Sequence, residues 1–489
     1  MGNQPPNKQI ITPSDFYKHA TCPHWIWHDI YSDESDKKAE SELVIKLREQ
    51  GIIHEDQYVK NLQYEEVEEK NPDKAFEETL KLMKAGTPLI YQGAIQYEKD
   101  NVIYRGRPDL LEKKEGASSL GDWYYTPIDI KSSKEVKKEQ KYQLILYGFI
   151  LENIQDRYPD EVAIINKDGQ RYDLLRDDKD VAKAQSLMDT ILTTMRGTKP
   201  PLKLVSGCKD SPWFDKCVSE AEEKEDLALI YKLDARSHAN LRELGINTIH
   251  DVAQMDVDQL PKITQSSPKT LKRVKLQAQS LVDKEVKWLD KIDIPDTPLK
   301  LYFDIEGDPL LQIEYLFGFW IVGDPERKYA QGKNIVFDEK ENKYFIYFIA
   351  EQVEDERAMW QEFLDWLALL PDNYIPYHYA NYEKSRTNIL AKKYGTSPAF
   401  ELFHEKLFDL MKVVLSSVIF PIYFYSIKDI AKLLKFKWRH EKAGGAQSIF
   451  WYKTWLETGD KNILQDIIDY NEDDVRATEF VHQWLVDQR

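Results

Sequence analysis

The chain has 489 residues, 42% of them hydrophobic, which is too long for one ordinary core and apolar enough to fill two or three. A formal charge of −17 argues against a protein that coats nucleic acid by bulk positive charge, and three cysteines give no disulfide framework. No apolar run approaches a membrane span and the N-terminus MGNQPPNKQI lacks the regions of a signal peptide, so a cytoplasmic protein away from the membrane is expected.

In chain order, Ser14 reads as the N-cap of an aromatic-rich helical run over Ile11 to Ile30, broken at Cys22-Pro23. A charged helix is expected from Lys37 to Leu62, carrying His54 and Glu55; a lone histidine there reads first as packing or surface. From Tyr104 the sequence turns chemical. Tyr124 to Ile130 is β-branched and aromatic enough for a strand, and the period of two puts Asp129 and Lys131 on one face. Val136 to Leu151 reads as a helix on which Gln143 and Tyr147, four apart, share a face. With Asp109 just upstream, two acids, a lysine and two polar groups converge. Paired carboxylates hold a hard cation such as Mg²⁺ while a lysine orients or deprotonates a water. The plainer alternative is a turn at Arg107-Pro108-Asp109 and a surface ion pair between Asp129 and Lys131.

Taken in order, Gly106-Arg107-Pro108-Asp109, Asp129-Ile130-Lys131 and Gln143 with Tyr147 resemble the signature of the RecB-like branch of the PD-(D/E)XK nucleases. The resemblance implies a restriction-endonuclease-like α/β core over residues 1–220. Asp109 and Asp129 would be metal ligands, Lys131 would act on the attacking water, and Gln143 and Tyr147 would position the scissile strand. It further implies that His54 completes the metal shell, with Glu55 beside it. Many RecB-like nucleases hold a [4Fe–4S] cluster on one early cysteine and three late ones. Cys22, Cys208 and Cys217 match three of those places, and Ser211, before Pro212-Trp213, stands at the fourth. A serine oxygen is a harder and poorer donor to cluster iron, and three buried reduced thiols are the competing reading.

Glu220 to Glu225 reads as a polar linker, followed by a helical connector over residues 221–292. Breaks at Leu244 to Ile249 and at Leu260-Pro261-Lys262 resemble tandem helix-hairpin-helix units, whose turns offer backbone N–H groups to phosphate; a plain helical spacer reads as well. Basic runs at Lys131 to Lys141 and Lys262 to Lys275 fit a nucleic-acid groove or a solvated helix face. Asp293 to Pro298 marks a boundary.

Leu299 to Glu306 reads as a strand with Asp304 and Glu306 on one face; strands at Tyr315 to Val322 and Tyr344 to Ala350, a helix over Glu354 to Leu370 and a strand at Tyr374 to Tyr377 follow. Near the end, Tyr470 and Asp474 share a helix face. Asp304-x-Glu306, a later acid and Tyr470-x-x-x-Asp474 are similar to the DnaQ-like 3′–5′ exonucleases of the DEDD superfamily, which implies an RNase H-like domain over residues 296–489. Four carboxylates would hold two cations roughly 4 Å apart. The third acid is Glu383, with Asp409 as competitor.

The whole order resembles a bacterial family of RecB-like nucleases joining these two domains, with Tyr302 to Pro309 the most distinctive stretch. The expected activity is hydrolysis of phosphodiester bonds with Mg²⁺ or Mn²⁺, on DNA ahead of RNA and on single strands or ends, in repair or defence. The alternatives are one working centre, with the RNase H-like part acting on RNA or shaping a channel, and a non-catalytic module guiding nucleic acid to a helicase.

Overall fold

Each of the two units of this computed structural model, Met1–Lys224 and Glu225–Arg489, is built on a six-stranded sheet. The structure describes residues 8–39, 42–133, 138–260, 267–309, 311–332, 334–440 and 444–488. Parts of both basic runs, 134–137 and 262–266, and the break expected at Pro261-Lys262 lie outside the described residues.

The first unit runs β1 (Gln9–Ile11), α1 (Pro13–Thr21), α2 (Trp25–Tyr31), α3 (Glu42–Val59), β2 (Glu65–Glu66), α4 (Pro72–Ala85), β3 (Leu89–Tyr91), β4 (Ile95–Lys99) and β5 (Val102–Gly106). It continues with β6 (Leu110–Ser118), β7 (Gly121–Ile130), α5 (Lys138–Gln155), β8 (Glu161–Ile165), β9 (Arg171–Leu175), α6 (Asp178–Met195) and α7 (Phe214–Glu223). The main sheet is ordered β2-β3-β6-β7-β8-β9, and β1-β5-β4 form a smaller one. Strand β7 is buried from Tyr124 to Ile130 because both of its faces are covered. Tyr125 joins Leu144, Leu146 and Ile150 of α5 on one side, and Ile128 and Ile130 join Val59 and Leu110 on the other. Helix α5 is the crossover that lets β7 pair in parallel with β8. Alternation then turns Asp129 toward α5, the side on which Tyr147 lies.

Two local expectations change. Thr12, not Ser14, caps α1: its N–H donates to Asp15 Oδ2 (2.8 Å), and Pro13 opens the helix. Residues 220–223, read as linker, are the last turn of α7, because Cys217 and Ala221 form a buried i,i+4 stripe and Glu220 pairs with Lys199 and Lys224.

The second unit begins with α8 (Ala235–Glu243), α9 (Ile249–Gln254) and α10 (Pro268–Asp283), so the helices expected as a connector fall within it. Gly245 makes the α8–α9 turn at φ 78°, and Thr248 caps α9. Then come β10 (Lys287–Trp288), β11 (Leu299–Asp308), β12 (Ile313–Val322), β13 (Ile335–Asp338), β14 (Lys343–Ile349), α11 (Glu356–Leu367), β15 (Tyr374–His378) and α12 (Tyr382–Tyr394). The chain ends with α13 (Pro398–Lys406), β16 (Phe408–Asp409), α14 (Leu410–Ser417), β17 (Val418–Ile419), α15 (Ile427–Leu433), α16 (Gly445–Thr458) and α17 (Lys461–Asp487). The sheet order is β13-β14-β12-β11-β15-β16, antiparallel from β13 to β11 and parallel from β11 to β16. Odd residues of β11, Phe303 and Ile305, enter an aromatic core with Phe319, Phe363 and Phe403. Even residues face the other way, where Tyr302 packs with Val475 and Val481 of α17 and its hydroxyl meets His482 Nδ1 at 2.8 Å. That alternation aims Asp304 and Glu306 at α17.

Candidate functional site

The sheet and α17 bring Asp304, Glu306 and Asp474 together, with one carboxylate oxygen from each lying within 4.8 Å of the other two. Tyr470 sits one turn before Asp474 on the same face. Each acid is held by its own neighbour. Trp438 Nε1 donates to Asp474 Oδ1 (2.6 Å), Asn471 Nδ2 donates to Asp304 Oδ2 (2.8 Å), and Ser448, itself 2.7 Å from the Tyr315 hydroxyl, hydrogen-bonds Glu306. Asn471 reaches Asp304 only because residue 318, paired with Asp304 across β12, is glycine: a Cβ there would stand 1.7 Å from Asn471 Oδ1. Burial, followed by mutual repulsion, pushes Asp304 and Glu306 well above the usual carboxylate range. Burial raises Asp474 too, against the pull of Lys428 and Trp438. Lys428 Nζ donates to the Tyr470 hydroxyl at the edge of this cluster. Three close carboxylates that repel one another in a buried pocket are a donor set suited to a hard divalent cation.

Of the two candidates for a further acid, Glu383 is the one against the cluster. It hydrogen-bonds Asp304, its Oε2 lies 3.1 Å from His378 Nδ1, and burial pushes it up to about 8. Asp409 instead uses Oδ1 to accept from the Ala380 and Met411 N–H groups, both at 2.9 Å, capping α14. Among the described residues the metal-sized group is three acids, without Glu383.

In the first unit, Asp109 Oδ2 accepts the Ile130 N–H (2.6 Å), which pins it to the end of β7. Asp129 is 1% exposed, and Lys131 Nζ stands 3.0 Å from its Oδ2. Its Oδ1 is buried without a hydrogen-bond partner, an orphaned acceptor whose chemistry suits a hard cation. Burial and then Asp129 push Asp109 well up. Burial alone would lower Lys131, but Asp129 and Asp109 overcome it and raise the ammonium. Gln143 Nε2 donates to the Tyr147 hydroxyl (3.0 Å), and the Tyr147 ring lies over Gly106, where a Cβ would be 2.4 Å away. The glycine of the Gly-x-Pro-Asp stretch is therefore clearance for that tyrosine.

His54 does not join this group. Its neighbours are the Asn166 backbone and Lys167, whereas Glu55, next along α3, accepts from Gln92 Nε2, which also lies 3.5 Å from Asp109 Oδ1. Glu55 is thus the α3 residue facing Asp109 and Lys131.

Cys22, Cys208 and Cys217 do meet, each fully buried beside Trp213. The Cys208 hydrogen bond pulls Cys22 down, but its hydrogen bond to Cys217 and burial push the thiol up to about 11; Cys208 is raised by its bond to Cys22 and by burial. Ser211 Oγ accepts the Trp213 N–H (3.2 Å). Three thiols and a serine hydroxyl engaged with the Trp213 N–H fall one thiolate short of the four-thiolate set of a [4Fe–4S] cluster, and the three thiols read as apolar packing.

Residues 301–486, from β11 through α17, match the family model of the RNase_H superfamily, and this part of the chain is an RNase H-like domain. No curated protein matches the chain. No helix among the described residues is long and apolar enough to cross a membrane.

Proposed function

We propose that this protein is a divalent-metal-dependent nuclease whose C-terminal centre hydrolyses phosphodiester bonds. The observation that carries the reading is the meeting of Asp304, Glu306 and Asp474 inside the RNase H-like domain, with Tyr470 one turn away. Bound Mg²⁺ or Mn²⁺ would supply Lewis-acid stabilisation of the phosphoryl oxygens. The chain's own groups do the rest. Asn471, Trp438 and Ser448 fix the carboxylates, and the Tyr470 hydroxyl is placed to hold the attacking water or the scissile phosphate.

The first unit is proposed as a second, PD-(D/E)XK-like centre in which Asp109 and Asp129 hold the metal, Lys131 acts on the water, and Gln143 and Tyr147 position the strand. A cavity of about 500 Å³ beside Gln143 and Tyr147 supports this, because Lys70, Arg105 and Arg107 line it. Local positive charge there answers the objection raised by the acidic whole chain. DNA, with single strands or ends favoured, is the proposed substrate, in repair or defence alongside a helicase.

The test is cleavage of end-labelled single- and double-stranded DNA and RNA in Mg²⁺, Mn²⁺ or EDTA. Wild type is expected to cut in either metal and not in EDTA, and Asp304→Ala to lose most of the cutting. Equal cutting by both proteins would refute the C-terminal assignment, and preference for RNA would refute the substrate.

A further inference from the structure

The cavity of about 500 Å³ in the first unit is walled by Gln143 and Tyr147 and by the first turn of α1, and its lining carries charge of one sign. Lys70, Arg105 and Arg107 line it, and no carboxylate does among the described residues, in a chain whose formal charge is −17. The cavities beside Asp173 and beside Asp365 include acids. The three cations are held differently. Arg107 donates Nε to the Gln92 carbonyl (2.7 Å) and Nη2 to those of Val67 and Glu69 (2.6 and 3.3 Å), which fixes the guanidinium without cancelling its charge. Lys70 is exposed and makes no ion pair among the described residues. Arg105 donates Nη2 to Asp73 Oδ1 (2.9 Å), but that carboxylate is 71% exposed, so a competing anion displaces it at little cost. Tyr17, 49% exposed with its ring edge-on to Trp25, lines the same cavity.

Among the described residues Asp73 is the one carboxylate paired with these three cations, which leaves two positive charges uncompensated. An internal phosphodiester brings one negative charge, whereas a terminal phosphate monoester brings about −1.5 to −2 near pH 7. The volume is that of a pocket for one small ligand, close to a single nucleotide and far below a duplex. A guanidinium fork suits phosphate oxygens, and an exposed aromatic ring stacks on a base of any identity. Resting on the PD-(D/E)XK-like reading of the first unit, we infer that this cavity receives the phosphorylated end of a single strand, with the phosphate on Arg105 and Lys70 and the terminal base against Tyr17. The phosphate takes the place of Asp73 on Arg105, and Arg107 adds its charge. A strand anchored by its end offers the bonds nearest that end to Asp109 and Asp129, so the first centre trims ends and leaves interior bonds alone.

The test is binding of short fluorescent oligothymidines to the full chain in EDTA, where no cleavage intervenes, with a 5′-phosphate, a 3′-phosphate or no terminal phosphate. A strand phosphorylated at the end the cavity takes is expected to bind about tenfold tighter than the unphosphorylated strand. Lys70→Gln with Arg105→Gln should bring all three strands within about twofold of one another. Asp73→Asn should tighten the preferred strand about threefold and leave the unphosphorylated one as it was, a gain that a damaged fold cannot produce. Equal binding of the three strands by wild type overturns the inference, as does a preference that survives Lys70→Gln with Arg105→Gln, or one that Asp73→Asn leaves unchanged. The nuclease reading of the first unit fails separately. If Lys131→Ala cuts as well as its parent in an Asp304→Ala background, that reading and the trimming role fall, while the phosphate preference is scored on binding alone.

Discussion

Both units set acids against a lysine, but they recruit the lysine differently. In the first, Lys131 follows Asp129 by two residues at the end of one strand, so a short motif contains both charges. In the second, Asp304 and Glu306 come from β11, Asp474 from α17 and Lys428 from α15, and only the packing of helices on a sheet assembles them. Both also keep a glycine where a side chain must pass, Gly106 under Tyr147 and Gly318 under Asn471. A centre built by tertiary packing is therefore the one whose parts a motif search misses, and the one most exposed to substitutions far from its acids.

The largest expected effect separates the centres outright. Asp474→Asn should lower metal-dependent cleavage by the C-terminal centre roughly thousandfold with the circular dichroism spectrum unchanged, because it removes a carboxylate without removing volume. Retention of more than a tenth of the activity in a Lys131→Ala background would break the assignment.

Next come the two glycines. Gly318→Ala forces Asn471 off Asp304 and should weaken Mn²⁺ binding about tenfold or more, with roughly 1 to 3 kcal/mol lost from stability. Gly106→Ala should cost similar stability by displacing Tyr147 and leave Mn²⁺ affinity of the C-terminal centre unaltered. Calorimetry on the pair shows whether the parallel is real.

The buried histidines of the first unit and the buried acids of the second should also answer pH in opposite senses, with Asp109 of the first unit siding with the acids and His378 of the second with the histidines. Burial holds His24 and His28 down to about 4, with each other, Lys199, Lys216, Glu220 and Asp29 as the charges around them, whereas unfolded histidine titrates near 6.5. Their contribution is complete above pH 6.5 and is lost as pH falls toward 4, roughly 2 to 4 kcal/mol in all. The metal-free acids of the second unit are raised, so their contribution is complete below the unfolded carboxylate range and is lost as pH rises through the folded values. Scanning calorimetry from pH 4 to 8 in EDTA should show the two slopes. Mg²⁺ should reverse the second by favouring the ionised carboxylates, and His24→Gln with His28→Gln should flatten the first.

The smallest effect settles the further acid. Asp409→Ala should cost about 1 kcal/mol as a lost N-cap and leave Mn²⁺ affinity as it was, which the same titration checks.

Much of this was open to sequence reasoning where one element carries the pattern. The period of two put Asp304 beside Glu306, and the helical period put Tyr470 beside Asp474; both pairs stand as expected. Thr12-Pro13 held the signals of a helix start that Ser14 obscured, since Pro favours the first helical position. His54 and Glu55 are neighbours on one helix about 100° apart, and nothing local says which of them faces the acids. Lys428, Trp438 and Ser448 lie in a stretch with no motif, and their roles exist only once α15 and α16 pack against β11 and α17.

The central claim is tested most directly by Mn²⁺-dependent cleavage of end-labelled single-stranded DNA by wild type, Lys131→Ala, Asp304→Ala and the protein carrying both changes. Two independent centres predict that each single variant keeps part of the activity and that the double variant has none above EDTA controls. A double variant that cuts like wild type would contradict the account.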